Sequence, residues 1–344
     1  MVERNERTIF ERKVSLINTP SPVIRLKNLE KKIGFRGSIW MKNDGVISSI
    51  YGGNKPRKFE FIFKEAIEKK AKYLVTTGGI GTNHGLAVSL FGKEFGLKTI
   101  LFLYPQPITE YVKRNLVRMV DSGAEIRLTS HPVNAVLRAR ILGRKEGYFF
   151  IPPGGSSATG NLGFYLAGKE LIEQIRNEEL PEPSFVFIPV GTGGSLAGLS
   201  LGLCESKIKI IGICVVERPV TNRAVLFGEI LSLSNFLRKN GVKSNPLKAV
   251  RKFYLNHRFI GKGYGHPTDE AVEAVKIMMD EEGIELETTY TGKTMAGLIH
   301  FAREKGKGNI IFWNTHNLNE PDIPDLEKKF EDVAEWLGIW TEES

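Results

Sequence analysis

The stretch SFVFIPVGTGGSLAGLSLG, residues 184–202, passes from a β-rich run through a glycine cluster into a helical pattern. Its strand ends at Val190, and residues 191–195 lead into a helix that begins with mostly small side chains. Glycines let several backbone N–H groups point into one concavity, where a helix N-terminus adds positive partial charge. The stretch therefore predicts a phosphate cradle, although close packing of the helix would equally explain its glycines. It lacks the lysine of a P-loop and the GxGxxG pattern of a dinucleotide site, so neither ATP nor NAD is favoured.

Short β-rich runs and helical patterns alternate on both sides of this stretch. The predicted strands are KYLVTT, KTILFLY, AEIRLT and YFFIPP before it, SFVFIPV within it, and IKIIGICVV, IELETTY and NIIFWN after it. This alternation predicts an α/β fold built from βαβ units, with mainly parallel sheets and helices on both faces. Ligands of such sheets bind beyond the carboxyl ends of the strands. A length of 344 residues favours two domains.

Helices are predicted between the first four strands, at residues 85–94, 108–122 and 134–146. A further helix should begin after Thr268, a candidate N-cap, and end at Gly283. The tail DIPDLEKKFEDVAEWLGIW has the apolar spacing of an amphipathic helix, which could pack on this chain or on a partner.

The composition is that of an ordinary globular protein, with 41% hydrophobic and 25% charged residues. Cys204 and Cys214 stand in no CxxC or Cys/His spacing, so we predict buried structural thiols and no metal site. No run approaches the ~18 apolar residues of a membrane helix, so we expect a cytoplasmic protein without membrane contact.

Much of the net charge of +9 lies between residues 231 and 268, which include eight Lys and Arg but no Asp or Glu. The segment is interpreted either as an anion-binding surface or as a solvated, partly irregular stretch. Nucleic-acid binding is disfavoured but stays open, because no helix-turn-helix, zinc finger or aromatic-interleaved sheet motif accompanies the charge.

A second glycine turn, TTGGIGTNHGLA at residues 76–87, carries the polar side chains of Thr82, Asn83 and His84 at a predicted helix start. These side chains and the nearby N–H groups could hold a substrate carboxylate. The alternative is that Thr82 or Asn83 only caps the helix.

A third turn, YGGNKPRKFEFIFKEA at residues 51–66, places Asn54 and Lys55 directly before an amphipathic helix. A lysine near a positive helix end and away from water loses its proton more easily, which is the condition for forming a Schiff base. Such a lysine, together with a phosphate cradle that is not a P-loop, indicates pyridoxal phosphate as the cofactor.

Six segments together resemble the 1-aminocyclopropane-1-carboxylate deaminase and D-cysteine desulfhydrase family of fold type II (tryptophan synthase β-like) pyridoxal phosphate enzymes. They are GGNKPRKFEFIFKEA, GGIGTNHGLAVSL, IPPGGSSATGNLGFYLAGKEL, VGTGGSLAGLSLG, GYGHPTDEAVEAV and YTGKTMAGL. The resemblance implies two three-layer α/β domains, a larger cofactor domain of residues 1–57 and 166–344 and a smaller one of residues 58–165. It also implies a homodimer.

The resemblance assigns roles to individual residues. Lys55 would carry the cofactor as an internal aldimine and act as base or acid at the substrate Cα, and Asn54 would bind the phenolic oxygen of the cofactor. Thr315 would reach the pyridine nitrogen. The phosphate loop would be formed by Gly191, Thr192, Gly193, Gly194, Ser195 and Leu196. The substrate would be bound by Thr82, Asn83, His84, Tyr264, Tyr290 and Thr291, with Thr82, Tyr264 and Tyr290 among the catalytic groups.

Thr291 carries the expectation about the reaction. The deaminase subgroup has a glutamate beside its active-site tyrosine, whereas the desulfhydrase subgroup has a threonine there. We therefore expect α,β-elimination from a small amino acid, with D-cysteine giving pyruvate, ammonia and sulfide. The alternatives are ring opening of the cyclopropane amino acid, a β-replacement synthase or racemase, and a non-catalytic relative with an anion- or nucleic-acid-binding surface.

Two segments depart from the family pattern. A His-Thr-Gly-Gly turn is expected after the last strand, but the chain reads Asn314, Thr315, His316 and Asn317, which predicts a reshaped cofactor pocket or entrance. Near the N-terminus a pair of acids is expected, and only Asp44 remains.

Overall fold

The computed structural model describes residues 9–305 and 307–339. Strands and helices are numbered along the chain. The strands are β1 (Val23–Arg25), β2 (Ser38–Asn43), β3 (Tyr73–Gly79), β4 (Lys98–Tyr104), β5 (Glu125–Leu128), β6 (Tyr148–Phe150), β7 (Phe185–Val190), β8 (Lys209–Cys214), β9 (Phe253–Asn256) and β10 (Asn309–Asn314). The helices are α1 (Lys27–Lys32), α2 (Asn54–Glu68), α3 (Asn83–Glu94), α4 (Glu110–Asp121), α5 (Pro132–Leu142), α6 (Ala158–Arg176), α7 (Gly194–Gly202), α8 (Arg223–Lys239), α9 (Pro246–Val250), α10 (Asp269–Glu282), α11 (Thr291–Lys305) and α12 (Leu326–Leu337).

The larger of two compact units comprises Met1–Phe61 and Ser156–Asn319. Its six-stranded sheet has the order β1-β2-β10-β7-β8-β9, in which β1 is antiparallel to β2 and the other strands are parallel. Alternate residues of the central strands enter two different hydrophobic clusters: Val186 and Ile311 lie in one, Phe187 and Phe312 in the other. Because successive side chains point to opposite faces of a strand, both faces of this sheet are buried at its central strands, as is usual for parallel sheets.

The smaller unit comprises Ile62–Gly155 and Glu320–Ser344. Its four strands pair in parallel in the order β5-β4-β3-β6. Val75, Ile100 and Phe102 form its core with Ala135 and Ala139 of α5. The predicted α/β class with mainly parallel sheets is thus confirmed.

Most of the predicted elements are present. For two predicted strands both ends agree with the structure: KTILFLY is β4 and NIIFWN is β10. The predicted helix after Thr268 is α10, and the Thr268 hydroxyl caps it by accepting from the Ala271 N–H at 3.2 Å. Gly283 ends α10 with φ +65°, a left-handed conformation that glycine adopts without a Cβ clash.

One predicted strand is wrong. Residues 284–290, IELETTY, contain no strand, because the backbone N–H groups of Thr289 and Tyr290 donate to the Glu287 carboxylate instead of to a neighbouring strand. The sequence analysis also missed β1, β2 and β9, of which β2 pairs with β10 along its whole length.

The domain boundaries differ from those predicted. The predicted break at 165/166 would cut α6, whereas the units divide before this helix, at 155/156. The tail, which was expected in the larger domain, groups with the smaller unit because α12 packs on α4. Lys113 of α4 forms an ion pair with Glu327 at 2.7 Å and lies over the Phe330 ring.

Within residues 9–305 and 307–339, no helix combines the length and apolar character needed to cross a bilayer. Cys204 and Cys214 are both buried free thiols, as the sequence predicts.

Candidate active site

Lys55 lies in the first turn of α2, behind a glycine pair that brings the chain close to two other segments. An added Cβ at Gly53, which has φ +81°, would overlap the Thr315 carbonyl oxygen, and one at Gly52 would overlap the Gly45 carbonyl oxygen. Only glycine permits this approach. The turn thus sets Lys55 beside the carboxyl end of β10.

Three side chains are linked at this turn. Lys55 Nζ donates to Asn54 Oδ1 at 2.8 Å, and Asn54 Nδ2 donates to Ser195 Oγ at 3.3 Å. The half-buried Lys55 is desolvated, which lowers its pKa to about 8, while the charge of Glu287 acts in the opposite direction. A lysine in this state is neutral often enough near neutral pH to serve as a nucleophile or a base.

The glycine cluster of residues 191–195 connects the end of β7 to the start of α7. Gly193 has φ +90° and precedes the first residue of the helix, Gly194. The Thr192 hydroxyl lies 2.7 Å from Ser156 Oγ, and the Gly191 carbonyl accepts from the Thr221 hydroxyl. The loop therefore brings the hydroxyls of Thr192 and Ser156 together beside a helix N-terminus, whose first N–H groups have no partner within the helix and can donate to a phosphate. In contrast, Leu196 is buried in the hydrophobic core, so its side chain packs rather than lines the loop.

A second lysine at this loop was missed by the sequence analysis. Lys58 is buried, and its Nζ lies 2.8 Å from where a Cβ on Gly194 would stand. Burial and, second to it, the neighbouring charge of Lys55 lower the pKa of Lys58 to about 7, against the opposing effect of Glu229. A buried and a half-buried lysine that repel one another near a helix N-terminus would be stabilised by a phosphate dianion, so the residues present fit a phosphorylated cofactor.

The two predicted active-site phenols are in contact. The hydroxyl of Tyr290 donates to that of Tyr264 at 3.0 Å, and their rings meet edge to face at 5.9 Å. A Cβ on Gly191 would lie 3.4 Å from Tyr290 Cε1, so the Tyr290 ring borders the phosphate loop. The fold therefore brings Tyr264, Tyr290 and the loop together.

Thr291 is fully buried and belongs to the start of α11. Its hydroxyl lies 3.0 Å from Glu287 Oε1, and the same carboxylate accepts from the N–H groups of Thr289, Tyr290 and Thr291. Glu287 thus satisfies the otherwise unpaired N–H groups at this helix start. The sequence analysis overlooked Glu287 because the stretch that contains it was interpreted as a strand.

Thr82, Asn83 and His84 belong to the smaller unit and are described within it. The Thr82 hydroxyl caps α3 by accepting from the Gly85 N–H at 3.2 Å. Asn83 Oδ1 accepts from the Tyr111 hydroxyl at 2.7 Å, and His84 Nε2 lies 2.9 Å from Thr76 Oγ1. Their predicted role toward a substrate carboxylate stays a prediction.

The unusual turn after β10 holds the glycine pair before Lys55. Asn317 Oδ1 accepts from the Gly52 N–H at 2.5 Å and from the Asn319 N–H at 3.1 Å. Asn314 Nδ2 donates to Asn43 Oδ1 at 3.1 Å. Asn317 therefore uses its side chain to fix the turn that presents Lys55. The predicted role of Thr315, which follows Asn314, at the pyridine nitrogen stays a prediction.

Asp44, the remaining acid of the N-terminal segment, supports the same turn. Its backbone carbonyl accepts from the Gly53 N–H at 2.7 Å, and its buried carboxylate accepts from Arg57 and from the Trp313 indole, each at 2.8 Å. Arg57 also donates to Glu170 at 2.9 Å. A buried ion network of Asp44, Arg57 and Glu170 thus connects the first turn of α2 to other parts of the larger unit.

The sequence of this chain is similar to those of proteins of a known family. The sequence pattern of pyridoxal-phosphate dependent enzymes matches residues 14–315. A putative 1-aminocyclopropane-1-carboxylate deaminase of Thermotoga maritima is 30% identical over 318 residues, which cover 89% of this chain and 96% of that protein. A D-cysteine desulfhydrase of Salmonella typhi is 30% identical over 318 residues, which cover 88% of this chain and 93% of that protein.

Solved structures with a similar fold include the following two. An ACC deaminase homologue has a TM-score of 0.76 and 27% identity, and the match covers 94% of this chain and 98% of the homologue. Threonine deaminase isoform 2 of Solanum lycopersicum has a TM-score of 0.62 and 17% identity over 97% of this chain and 88% of its own, a likeness of fold alone.

Proposed function

Because the chain belongs to the family of pyridoxal-phosphate dependent enzymes, we propose that it eliminates the β-substituent of a small amino acid, as a D-cysteine desulfhydrase does. Family membership confirms the predicted cofactor, the fold type II architecture and the enzyme class. The similar proteins include both a putative deaminase and a desulfhydrase, so family membership alone does not select the reaction. The choice of reaction is therefore our proposal. We further propose a cytoplasmic homodimer.

One observation carries the choice of reaction: residue 291 is a threonine whose hydroxyl is already engaged at the start of α11. A carboxylate at this position would keep the pyridine nitrogen protonated and the ring a strong electron sink, which opening a cyclopropane plausibly requires. A neutral hydroxyl gives a weaker sink, which suffices for loss of an α-proton followed by a good leaving group such as a thiolate. The carboxylate of Glu287 accepts three backbone N–H groups, so it is committed to the helix.

The geometry supports a proposal for the residues that would hold the cofactor. Pyridoxal phosphate supplies, when bound, a reactive aldehyde and an electron-withdrawing ring. Lys55 is the amine that would hold it covalently, and Asn54 orients Lys55 through its side-chain oxygen. The glycine loop and Ser195 would bind the phosphate, and Lys58 would balance its charge.

Proton movement would use two groups of this chain. Lys55, with a pKa lowered to about 8, can take a proton from the substrate Cα. The hydrogen-bonded hydroxyls of Tyr290 and Tyr264 can pass a proton to the departing sulfur. Elimination then leaves an enamine, which hydrolyses to pyruvate and ammonia.

Product analysis tests the proposal. Protein saturated with pyridoxal phosphate is incubated with D-cysteine, L-cysteine or 1-aminocyclopropane-1-carboxylate, and pyruvate, sulfide and 2-oxobutanoate are quantified. We expect pyruvate and sulfide from D-cysteine. Lys55→Ala should lower the rate by about 10²–10⁴ or more, since it removes the general base. Lys64→Ala, which changes a partly exposed lysine of the same helix, is the matched control.

Efficient 2-oxobutanoate formation from the cyclopropane substrate would contradict the proposed reaction and select the deaminase alternative. A new amino acid formed when a thiol is added would select a β-replacement synthase.

A further inference from the structure

On one face of the larger sheet, side chains become more exposed to solvent toward the edge strand β9. The strand pairing aligns Met41, Phe312, Phe187, Ile211 and Tyr254 in a single row across β2, β10, β7, β8 and β9. Met41, Phe312 and Phe187 are buried in one hydrophobic cluster, Ile211 is half-buried, and Tyr254 is 56% exposed. Parallel sheets are normally covered on both faces, so the open end of this row is an apolar surface that something else should cover.

The open end of the row is concave. A groove of about 640 Å³ lies between the Tyr254 end of the row and α11, which is within the usual size range of small-molecule sites. Phe187 and Ile211 are in its floor, and Phe301 of α11 closes one wall, with its ring 5.3 Å from that of Phe187. The groove, defined by these residues, therefore offers an aromatic and aliphatic bed.

The rim of the groove is basic. It carries Arg218, His257, Arg258 and His300, with Glu304 as an acidic member. Glu304 lies 3.2 Å from His300, and Arg258 Nη1 lies 2.6 Å from the same imidazole. No salt bridge joins Arg218 or Arg258 to a carboxylate within the described part of the chain, although Arg258 Nη1 contacts His300 and Arg258 also lines a neighbouring pocket with Glu270 and Glu273.

The positive potential at the rim acts on its own members. Burial lowers the pKa of His257, and the charge of Arg218 lowers it further. The lowered pKa favours the neutral imidazole of His257, so the positive charge at the rim is carried by Arg218 and Arg258, which an anion bound in the groove would stabilise. Arg258 and His257 also lie within the acid-free stretch of residues 231–268, of which the proposed reaction uses only Tyr264.

We propose that this groove is a second binding site, distinct from the phosphate loop, for a small organic anion with an apolar or aromatic body and a carboxylate or phosphate group. The anion pairs with Arg218 and Arg258, and the body lies on Phe187, Ile211 and Phe301. The concave shape and the arginines at its rim favour a small anionic ligand over a flat protein surface, because the groove has a volume that small molecules commonly fill.

Calorimetric titration tests the site on protein saturated with pyridoxal phosphate, so that the phosphate loop is already filled. The probes are benzoate and phenyl phosphate, and the neutral benzyl alcohol has a similar body without the charge. We expect the protein to bind at least one of the two anions and to bind the alcohol at least tenfold more weakly. The comparison of the two anions shows whether carboxylate or phosphate is preferred.

Arg218→Ala should weaken anion binding about tenfold, since a charge-assisted hydrogen bond is lost, and Arg218→Lys should retain part of it. Arg218 is exposed, so the thermal midpoint should not change. The matched control is Lys243→Ala, which removes one exposed positive charge from the acid-free stretch outside the groove.

Four outcomes would overturn the proposal. The first three are absence of anion binding to the unmodified protein at millimolar concentration, equal affinity of wild type and Arg218→Ala, and equal loss in Lys243→Ala. A fourth is a dimer in sedimentation that Tyr254→Glu converts to a monomer, since a second copy of the chain would then cover the groove. None of these readouts depends on which amino acid the active site accepts.

Discussion

At the scale of single residues, Lys58 shows how the phosphate loop would recognise its ligand. Lys55 and Lys58 lie about one helical turn apart on the same face of α2. Burial is the larger cause, and repulsion by Lys55 the smaller cause, of the lowered pKa of Lys58. Removal of the Lys58 charge should weaken the binding of a phosphorylated ligand but not the binding of its dephosphorylated form. Lys58→Met should therefore weaken binding of pyridoxine 5′-phosphate by about 10–100-fold, equivalent to about 1.5–3 kcal/mol, while Lys58→Arg retains part of the affinity.

Fluorescence titration with pyridoxine 5′-phosphate and pyridoxine measures this difference. Neither compound has the aldehyde, so covalent attachment to Lys55 does not contribute. Lys64→Met is the control, because it alters a partly exposed lysine of α2. A similar loss for both ligands would mean that Lys58 supports the fold and not the phosphate.

At the scale of elements, the turn after β10 replaces an expected glycine with a structural asparagine. Asn317→Gly removes the acceptor of the buried Gly52 N–H, and an unsatisfied buried donor costs about 1–3 kcal/mol. We expect the free energy of unfolding from urea titration to fall by that amount and the yield of cofactor reduced onto Lys55 by borohydride to fall with it. Asn317→Asp, which keeps the accepting oxygen, should lose less. Unchanged stability in Asn317→Gly would show that water replaces the side chain.

The same scale shows what sequence reasoning could reach. Long apolar runs with clear ends, such as β4 and β10, follow from local pattern, and α10 is specified by its capping residues. The strands β2 and β9 exist through long-range pairing with β10 and β8, which periodicity does not encode. The false strand at 284–290 has a β-rich composition, but the carboxylate of Glu287 captures its N–H groups. At the site, motif order indicated Lys55 and Tyr290, whereas Lys58 and Asn317 gain their contacts only from tertiary structure.

At the scale of the whole molecule, a buried ion network joins distant parts of the larger unit. Lys42 of β2 donates to Glu170 of α6 at 2.6 Å, and Arg57 of α2 bonds both Glu170 and Asp44. Gln174, one turn after Glu170, accepts from Lys42 at 2.5 Å. Removal of one member of such a network leaves its partners charged in a buried place, which is more costly than the loss of a surface ion pair. The network therefore couples the sheet to the helix that carries Lys55.

Acid titration of stability tests this coupling. Burial raises the pKa of Glu170, but Arg57 and Lys42 more than offset it and bring it from 4.5 to about 2. Since the folded pKa is depressed, the contribution is complete above pH 4.5 and is lost as pH falls toward 2, with a size on the order of 3 kcal/mol. Glu170→Gln should therefore destabilise the protein at pH 7 and flatten the decline of stability between pH 4.5 and 2, measured by urea unfolding. Glu173→Gln, an exposed change on the same helix, should preserve the wild-type profile. Parallel profiles for wild type and Glu170→Gln would place the acid sensitivity elsewhere in the chain.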